Sequence, residues 1–259
     1  MPEPRVADRL AEVIASAPGR ASVAVRASCG LRWDHDADRV VPSVSTVKVA
    51  ILLAVLGSGI PLQEPLPLPA ERAGGCGPLS LLPSVRALPA GELARIMIAL
   101  SDNDAANILL DVVGFDAVAA VLDRAGARHT VVRRHFMDLA AAREGRDNLT
   151  SAADQADVLA ALREGRLLGP TETELAMEVL RQQQFVDGLP AYLPSRVRVA
   201  SKTGERPGMR HVVGVLEGGR EWVAVAVLIT DLLDPAGVDR GTLALATQAA
   251  VGECLVDLV

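Results

Sequence analysis

The chain has 259 residues and a formal net charge of −6; half of its residues are apolar and only 2% are aromatic. This length suits one large domain or two interleaved lobes, with a core filled mainly by Ala, Val, Leu and Ile. The acidic balance, without any basic stripe, argues against a protein that binds the phosphate backbone of nucleic acids.

The N-terminal segment lacks the pattern of an export signal. Residues 1–20 are amphipathic, with no basic segment followed by a continuous apolar run. The longest apolar run, Val49–Leu56, is too short to cross a bilayer. We therefore expect a cytoplasmic monomer with no membrane partner, or an exported protein if a leader has been removed.

The cysteines do not suggest a cross-linked or metal-binding protein. Cys29, Cys76 and Cys254 are odd in number and widely spaced, which fits neither a disulfide framework nor a zinc site. We expect free structural thiols, because a buried cysteine behaves as a small hydrophobic residue. No metal and no cofactor are expected.

Hydrophobic periodicity and turn residues divide the chain into three parts. The first part predicts a helix at 6–15 and strands at 22–27 and 31–34. The second predicts helices at 45–56, 91–100, 105–113, 115–125, 151–163 and 171–183, with a loop rich in Pro and Gly at 61–89. The third predicts strands at 196–202, 211–216 and 222–229 and a closing helix at 242–258.

This order of elements predicts an α+β fold. Strands from the N- and C-terminal parts would form one antiparallel sheet flanked by helices, with an all-α lobe inserted between them. We expect a single domain over 1–259, with 1–44 and 190–259 in the α/β lobe and 45–189 in the mostly helical lobe. A ligand site is then expected at the seam between the lobes.

The first chemical motif is Ser45-Thr46-Val47-Lys48, at the start of an apolar helix. A spacing of three residues places Ser45 and Lys48 on one helical face. Serine needs a base to become a good nucleophile, and a buried lysine can supply one in its neutral form. The peptide N–H of Ser45 would form half of an oxyanion hole. A capping serine beside a solvated lysine is the alternative interpretation.

Two further motifs gain meaning only in combination. Ser101-Asp102-Asn103 lies between two predicted helices, where by itself it would indicate a helix N-cap. Lys202-Thr203-Gly204 ends a predicted strand, where lysine and threonine can bind a carboxylate and glycine lets a ligand approach closely.

Together the three motifs occur in the order S-x-x-K, S-D-N and K-T-G, and the sequence resembles class A β-lactamases and penicillin-binding proteins. The flanking segments 101–110 and 205–210 also resemble that family. The resemblance implies a β-lactamase/transpeptidase-like fold and an acyl-enzyme formed on Ser45. Lys48 would accept or relay the proton of Ser45, and Ser101 would carry a proton to the leaving group.

The resemblance also implies a set of substrate-binding residues. Asn103 would bind the amide side chain of the substrate, and the carboxylate would lie near Lys202, Thr203 and Arg210. The peptide N–H of Glu205 would complete the oxyanion hole. The substrate-binding residues expected are Asn103, Lys202, Thr203, Gly204, Glu205 and Arg210.

The sequence departs from the family in the loop that carries a water-activating glutamate. Arg134 and Asp147 are the expected closing ion pair of this loop, but no E-x-E-L-N pattern lies between them. Asp138 is the expected replacement base and Glu144 the second choice; a purely structural carboxylate is an equally good interpretation of Asp138.

The family's aromatic wall ahead of S-D-N is also missing, and Leu81 or Leu82 is expected in its place. The leading functional hypothesis is a serine hydrolase acting on a β-lactam or a related small amide or ester. The alternatives are a transacylase or carboxypeptidase-like enzyme and a slowly deacylating β-lactam-binding or sensor protein.

Overall fold

The structure is a computed structural model that describes residues 3–259. Its α-helices are α1 (Glu3–Ala15), α2 (Lys48–Gly57), α3 (Ala90–Ala99), α4 (Asn103–Val113), α5 (Phe115–Ala125), α6 (Leu139–Arg143), α7 (Ala152–Arg163), α8 (Pro170–Arg181) and α9 (Gly241–Leu255). Its strands are β1 (Arg20–Ala27), β2 (Arg32–His35), β3 (Val41–Pro42), β4 (Pro65–Pro67), β5 (Ala87–Pro89), β6 (Leu149–Thr150), β7 (Arg198–Arg206), β8 (Met209–Gly218) and β9 (Glu221–Thr230). Short 3-10 helices lie at Pro78–Leu81 and Val256–Leu258.

Five strands from the two ends of the chain form one antiparallel sheet in the order β2-β1-β9-β8-β7. Helices α1 and α9 pack on one face of this sheet, and α7 packs on the other. Because both faces are covered, the central strand β9 is buried along nearly its whole length and consists mainly of Val, Ala, Leu and Ile. The strand order leaves β7 at one edge of the sheet.

The helical part of the chain is built around α2. Every residue from Lys48 to Leu56 is buried, and α3, α4, α5 and α8 pack around this helix. An all-round apolar surface is the pattern of a helix enclosed by its neighbours. The lysine at the first position of α2 is therefore held inside the protein.

Strand β7 differs from its prediction in a way that matters for the site. It was expected to end at Lys202, but it continues to Arg206 and turns directly into β8 through Pro207-Gly208. Lys202, Thr203 and Gly204 therefore lie inside an edge strand. The strand prediction was too short because the pairing with β8 extends the strand beyond the residues with high strand propensity.

Five smaller elements were also missed: strands β4 and β5, which pair inside the predicted loop, strands β3 and β6, which pair with each other, and helix α6 after Asp138. The division of the domain at residues 44/45 and 189/190 stays a prediction.

Within residues 3–259 no single helix is long and apolar enough to cross a bilayer. Helices α4 and α5 meet the same length and hydropathy criteria only when they are taken together, and they are bent by 88° relative to each other.

Candidate active site

A cavity of about 500 Å³ lies at the N-terminal end of α2. Its lining includes Ser45, just before α2, and Glu205 and Arg210, on β7 and β8. Residues far apart in the sequence thus meet in one cavity between the sheet and the helices.

Ser45 lies in the turn immediately before α2. The helix begins at Lys48, three residues later than predicted, and the backbone of this turn makes hydrogen bonds between residues three apart. Val44 precedes the serine with a φ of 50°, which is rare for a β-branched residue. Such strain persists where the surrounding structure enforces it, and it is common at active sites.

Gly204 brings the edge strand against this turn. A Cβ atom at Gly204 would lie 3.0 Å from the backbone nitrogen of Ser45 and 3.2 Å from that of Thr46. Because the two backbones approach so closely, only glycine fits here without displacement. The K-T-G strand and the serine turn therefore form opposite walls of one narrow cleft.

Lys48 is fully buried and is held by three oxygen atoms. Its Nζ donates to the carbonyl oxygen of Ser101 (2.7 Å), to Ser101 Oγ (3.3 Å) and to Asn103 Oδ1 (2.8 Å). Burial, reinforced by the charge of Lys202, holds the pKa of Lys48 well below its usual range. A neutral amine is thus accessible at this position, as a proton acceptor requires.

No hydrogen bond joins Lys48 to the Ser45 hydroxyl within residues 3–259. Such bonds in a site without substrate are often long and form only when substrate binds.

Ser101 connects the two buried lysines. Lys202 Nζ donates to Ser101 Oγ at 3.1 Å and to the carbonyl oxygen of Thr203 at 2.7 Å. Burial lowers the pKa of Lys202 to about 7. Ser101 has a φ of 56°, and this unusual backbone conformation lets both its carbonyl oxygen and its hydroxyl face Lys48.

Asn103 fixes the loop that covers this site. Its Oδ1 accepts from Lys48, and its Nδ2 donates to the carbonyl oxygen of Gly74 at 3.1 Å. Asp102 caps α4 by accepting from the backbone N–H of Ala105, and burial raises the pKa of its carboxyl group. Asn103 therefore has a structural role in addition to the substrate contact predicted for it.

Thr203, Glu205 and Arg210 lie together at the sheet edge, around a small side cavity of about 70 Å³. Glu205 and Arg210 are direct cross-strand neighbours, and Arg210 Nη1 forms an ion pair with Glu205 Oε2. The guanidinium group predicted to receive a carboxylate is therefore already paired.

The loop from 134 to 147 is closed by the predicted ion pair. Arg134 donates to Asp147 Oδ1 from Nε (2.9 Å) and from Nη2 (2.7 Å). Inside the loop, Asn107 binds the backbone of Phe136 twice: Oδ1 accepts from the Phe136 N–H (2.8 Å), and Nδ2 donates to its carbonyl oxygen (3.1 Å). This clamp places the Phe136 ring with its centroid 4.4 Å from Lys48 Nζ.

The structure does not bring the two expected replacement bases to Ser45. Asp138 caps α6 by accepting from the Ala141 N–H at 2.9 Å, and it lines a separate cavity of about 920 Å³. Glu144 is exposed and forms an ion pair with Arg146. A carboxylate followed by a short alanine-rich helix is the pattern of a helix cap, which agrees with the structural interpretation of Asp138.

Several lining residues of the cavity were not expected from the sequence, among them Phe136 and Cys76. Phe136 lies two residues after the closing Arg134, inside the 134–147 loop in which a replacement base was expected, and its place in that loop could have pointed to it. Cys76 also lines the cavity, whereas a leucine was predicted to contribute to its wall. Leu81 is 79% exposed and, like Leu82, is not among the lining residues, so that expectation was wrong.

All three cysteines are free, but only Cys254 is buried. Within residues 3–259, no group of three or more His, Cys, Asp or Glu side chains is arranged to hold a metal ion.

Comparison with known proteins agrees with this architecture. A model of the β-lactamase enzyme family matches residues 5–253. The β-lactamase from Sphaerobacter thermophilus DSM 20745 is 26% identical, with a TM-score of 0.84 over 98% of this chain and 95% of that one.

An ancestral class A β-lactamase (GNCA) is 28% identical, with a TM-score of 0.85 over 98% of this chain and 100% of that one. PBP-A is similar in fold: it is 23% identical, with a TM-score of 0.83 over 98% of this chain and 97% of that one. The family resemblance and the β-lactamase/transpeptidase-like fold predicted from the motifs are confirmed.

Proposed function

Because the chain belongs to the β-lactamase enzyme family, we propose that it is a serine hydrolase that acts on a β-lactam or a related amide or ester through an acyl-enzyme on Ser45. The observation that carries the proposal is the position of Ser101 Oγ between two buried amines, those of Lys48 and Lys202. Burying two lysines side by side is costly, so a structural purpose alone is a poor explanation for them.

In the acylation step, Ser45 Oγ attacks the carbonyl carbon of the substrate, and its proton passes to the neutral amine of Lys48. The lowered pKa of Lys48 keeps that amine available. The bond from the carbonyl carbon to the leaving nitrogen or oxygen then breaks. The leaving atom takes a proton from Ser101 Oγ, which recovers one from the ammonium group of Lys48 or Lys202.

Negative charge develops on the carbonyl oxygen during this attack. The peptide N–H groups of Ser45 and Glu205 flank the narrow gap at Gly204 and are the proposed donors to this oxygen. A donor of this kind typically lowers the barrier by ~3 kcal/mol.

A second candidate function is transfer of the acyl group to a nucleophile other than water, or its long retention. This candidate is favoured by the cover of Phe136 over Lys48, which places an apolar ring where hydrolysis would need a water and a base. Among the described residues, the carboxylates lining the cavity are Asp147, Glu205 and Asp239, and each accepts a hydrogen bond or ion pair from the protein. None of the three is a free base.

The test is to mix the protein with a chromogenic cephalosporin or with p-nitrophenyl acetate and to follow intact mass and product release. We expect a mass increase that matches the acyl group and is lost in Ser45→Ala, while Ser80→Ala, an exposed serine outside the cavity, behaves as wild type. Sustained turnover would favour the hydrolase, and a single burst with a lasting adduct would favour the second candidate. Absence of both an adduct and turnover, with either reagent, would rule out both.

A further inference from the structure

The three arginines that line the Ser45 cavity are all paired with carboxylates. Arg134 contacts Asp147 at 2.7 Å, and Arg206 contacts the other oxygen of the same carboxylate at 3.4 Å. Arg210 is paired with Glu205. The positive charge available to an incoming anion is therefore reduced at every arginine of the cavity.

Glu205 differs from Asp147 in how it is held. Asp147 also accepts the backbone N–H of Asn148 and closes the loop, whereas Arg210 is the only side-chain partner of Glu205 within residues 3–259. The Glu205 side chain is 65% exposed at the mouth of the cavity. Its carboxylate can therefore be removed without undoing another contact of the fold.

Arg210, by contrast, is fixed by its surroundings. Its guanidinium packs against Gly241, where a Cβ atom would lie 2.9 Å from Nη2, and its carbonyl oxygen accepts from Gln248 Nε2 at 3.3 Å. Its Nε is buried without a hydrogen-bond partner among the described residues. Arg210 therefore has a set position and an unused donor, and Glu205 occupies its outer face.

We propose that Glu205 is a specificity-determining residue that disfavours substrates with a carboxylate next to the reacting amide or ester. Glu205 and Arg210 are directly opposite each other on β7 and β8, so the pair forms on the strand edge that follows Gly204. A substrate carboxylate bound there has to displace the Glu205 carboxylate or lie beside a like charge. A substrate with a neutral ester or amide at that end avoids this competition.

This inference rests on the proposed function, and its test separates the two. The probes are benzylpenicillin, which bears the carboxylate, and its methyl ester, which does not. For each protein, the second-order rate constants of adduct formation are measured by intact mass, and the ratio of carboxylate to ester is compared. The variants are Glu205→Gln, Arg210→Ala and the double variant, with Glu178→Gln as the matched control because it breaks an ion pair with Arg95 outside the cavity.

We expect Glu205→Gln to raise the carboxylate-to-ester ratio about tenfold, which corresponds to ~1.4 kcal/mol. The increase should vanish in the Arg210→Ala background, and Glu178→Gln should retain the wild-type ratio. An unchanged or lower ratio in Glu205→Gln would overturn the proposal, since Glu205 would then be neutral or would position Arg210 for the carboxylate.

If wild-type protein shows neither an adduct nor turnover with these probes and with the two reagents above, the proposed function fails. In that case calorimetric binding of both probes to Ser45→Ala and to Ser45→Ala/Glu205→Gln still decides the role of Glu205. The proposal is supported if Ser45→Ala/Glu205→Gln binds benzylpenicillin more tightly, relative to the methyl ester, than Ser45→Ala does. An equal affinity ratio in the two proteins overturns the proposal.

Discussion

The aromatic ring of Phe136 covers the side-chain amino group of Lys48, with 4.4 Å between Nζ and the ring centroid. A cation–π contact of this kind favours the charged lysine by ~0.5–2 kcal/mol, which opposes the effect of burial. The same ring leaves little space for water beside Lys48. Phe136 therefore affects both the proton acceptor and the access of water, and it offers a direct test of how the acyl group is released.

We predict that Phe136→Glu shortens the lifetime of the Ser45 adduct by ~100-fold, because a positioned general base contributes about that factor to a proton-transfer step. The measurement is the decay of the benzylpenicillin adduct by intact mass after excess probe is removed. Phe136→Leu is the matched control, since it removes the ring without adding a base. Equal lifetimes in the two variants would show that space, and not a missing base, limits hydrolysis.

Asp138 provides the opposite test, because its carboxylate caps α6 and lines a different cavity from Ser45. We predict that Asp138→Asn leaves the adduct lifetime close to that of wild type, since asparagine is an equally good cap. Asp138→Ala should lower the free energy of unfolding by ~1 kcal/mol through loss of the cap. A much longer adduct lifetime in Asp138→Asn would instead restore Asp138 as the base.

The comparison of Asp138 with Phe136 shows what the sequence could and could not predict. Ser45, Lys48 and Ser101 were predicted as site residues because their spacing and order carry chemical meaning. The structure brings Lys48, Ser101 and Lys202 into direct contact, and their catalytic roles stay a prediction. The position of the Phe136 ring depends on its backbone clamp to Asn107, a contact across 29 residues that no local pattern encodes. Helix α6 was missed because it is too short to show hydrophobic periodicity.

The fold was predicted more completely than the site. Long apolar helices such as α2 and strands such as β9 have periodicities and compositions that identify them locally. The extension of β7 through Gly204 depends on its pairing with β8, and glycine by itself would argue against a strand. The Glu205–Arg210 pair follows from that extension, so it could not be derived from the sequence alone.

Lys202 makes the reaction of carboxylate substrates dependent on pH. Its pKa of about 7 in the free protein means that its positive charge is present below pH 7 and is lost as the pH rises through that value. We predict that the rate constant of adduct formation with benzylpenicillin, relative to that with its methyl ester, falls as the pH rises from 6 to about 9, since the rate constant at low substrate reports the ionisation of the free enzyme. Titration of Lys48 affects the reaction with both probes and therefore cancels in the ratio.

The pH profile of this ratio should become flat in Lys202→Met, which retains the length of the side chain without its charge. A ratio in wild type that stays constant across this range would show that Lys202 does not supply the charge that binds the carboxylate.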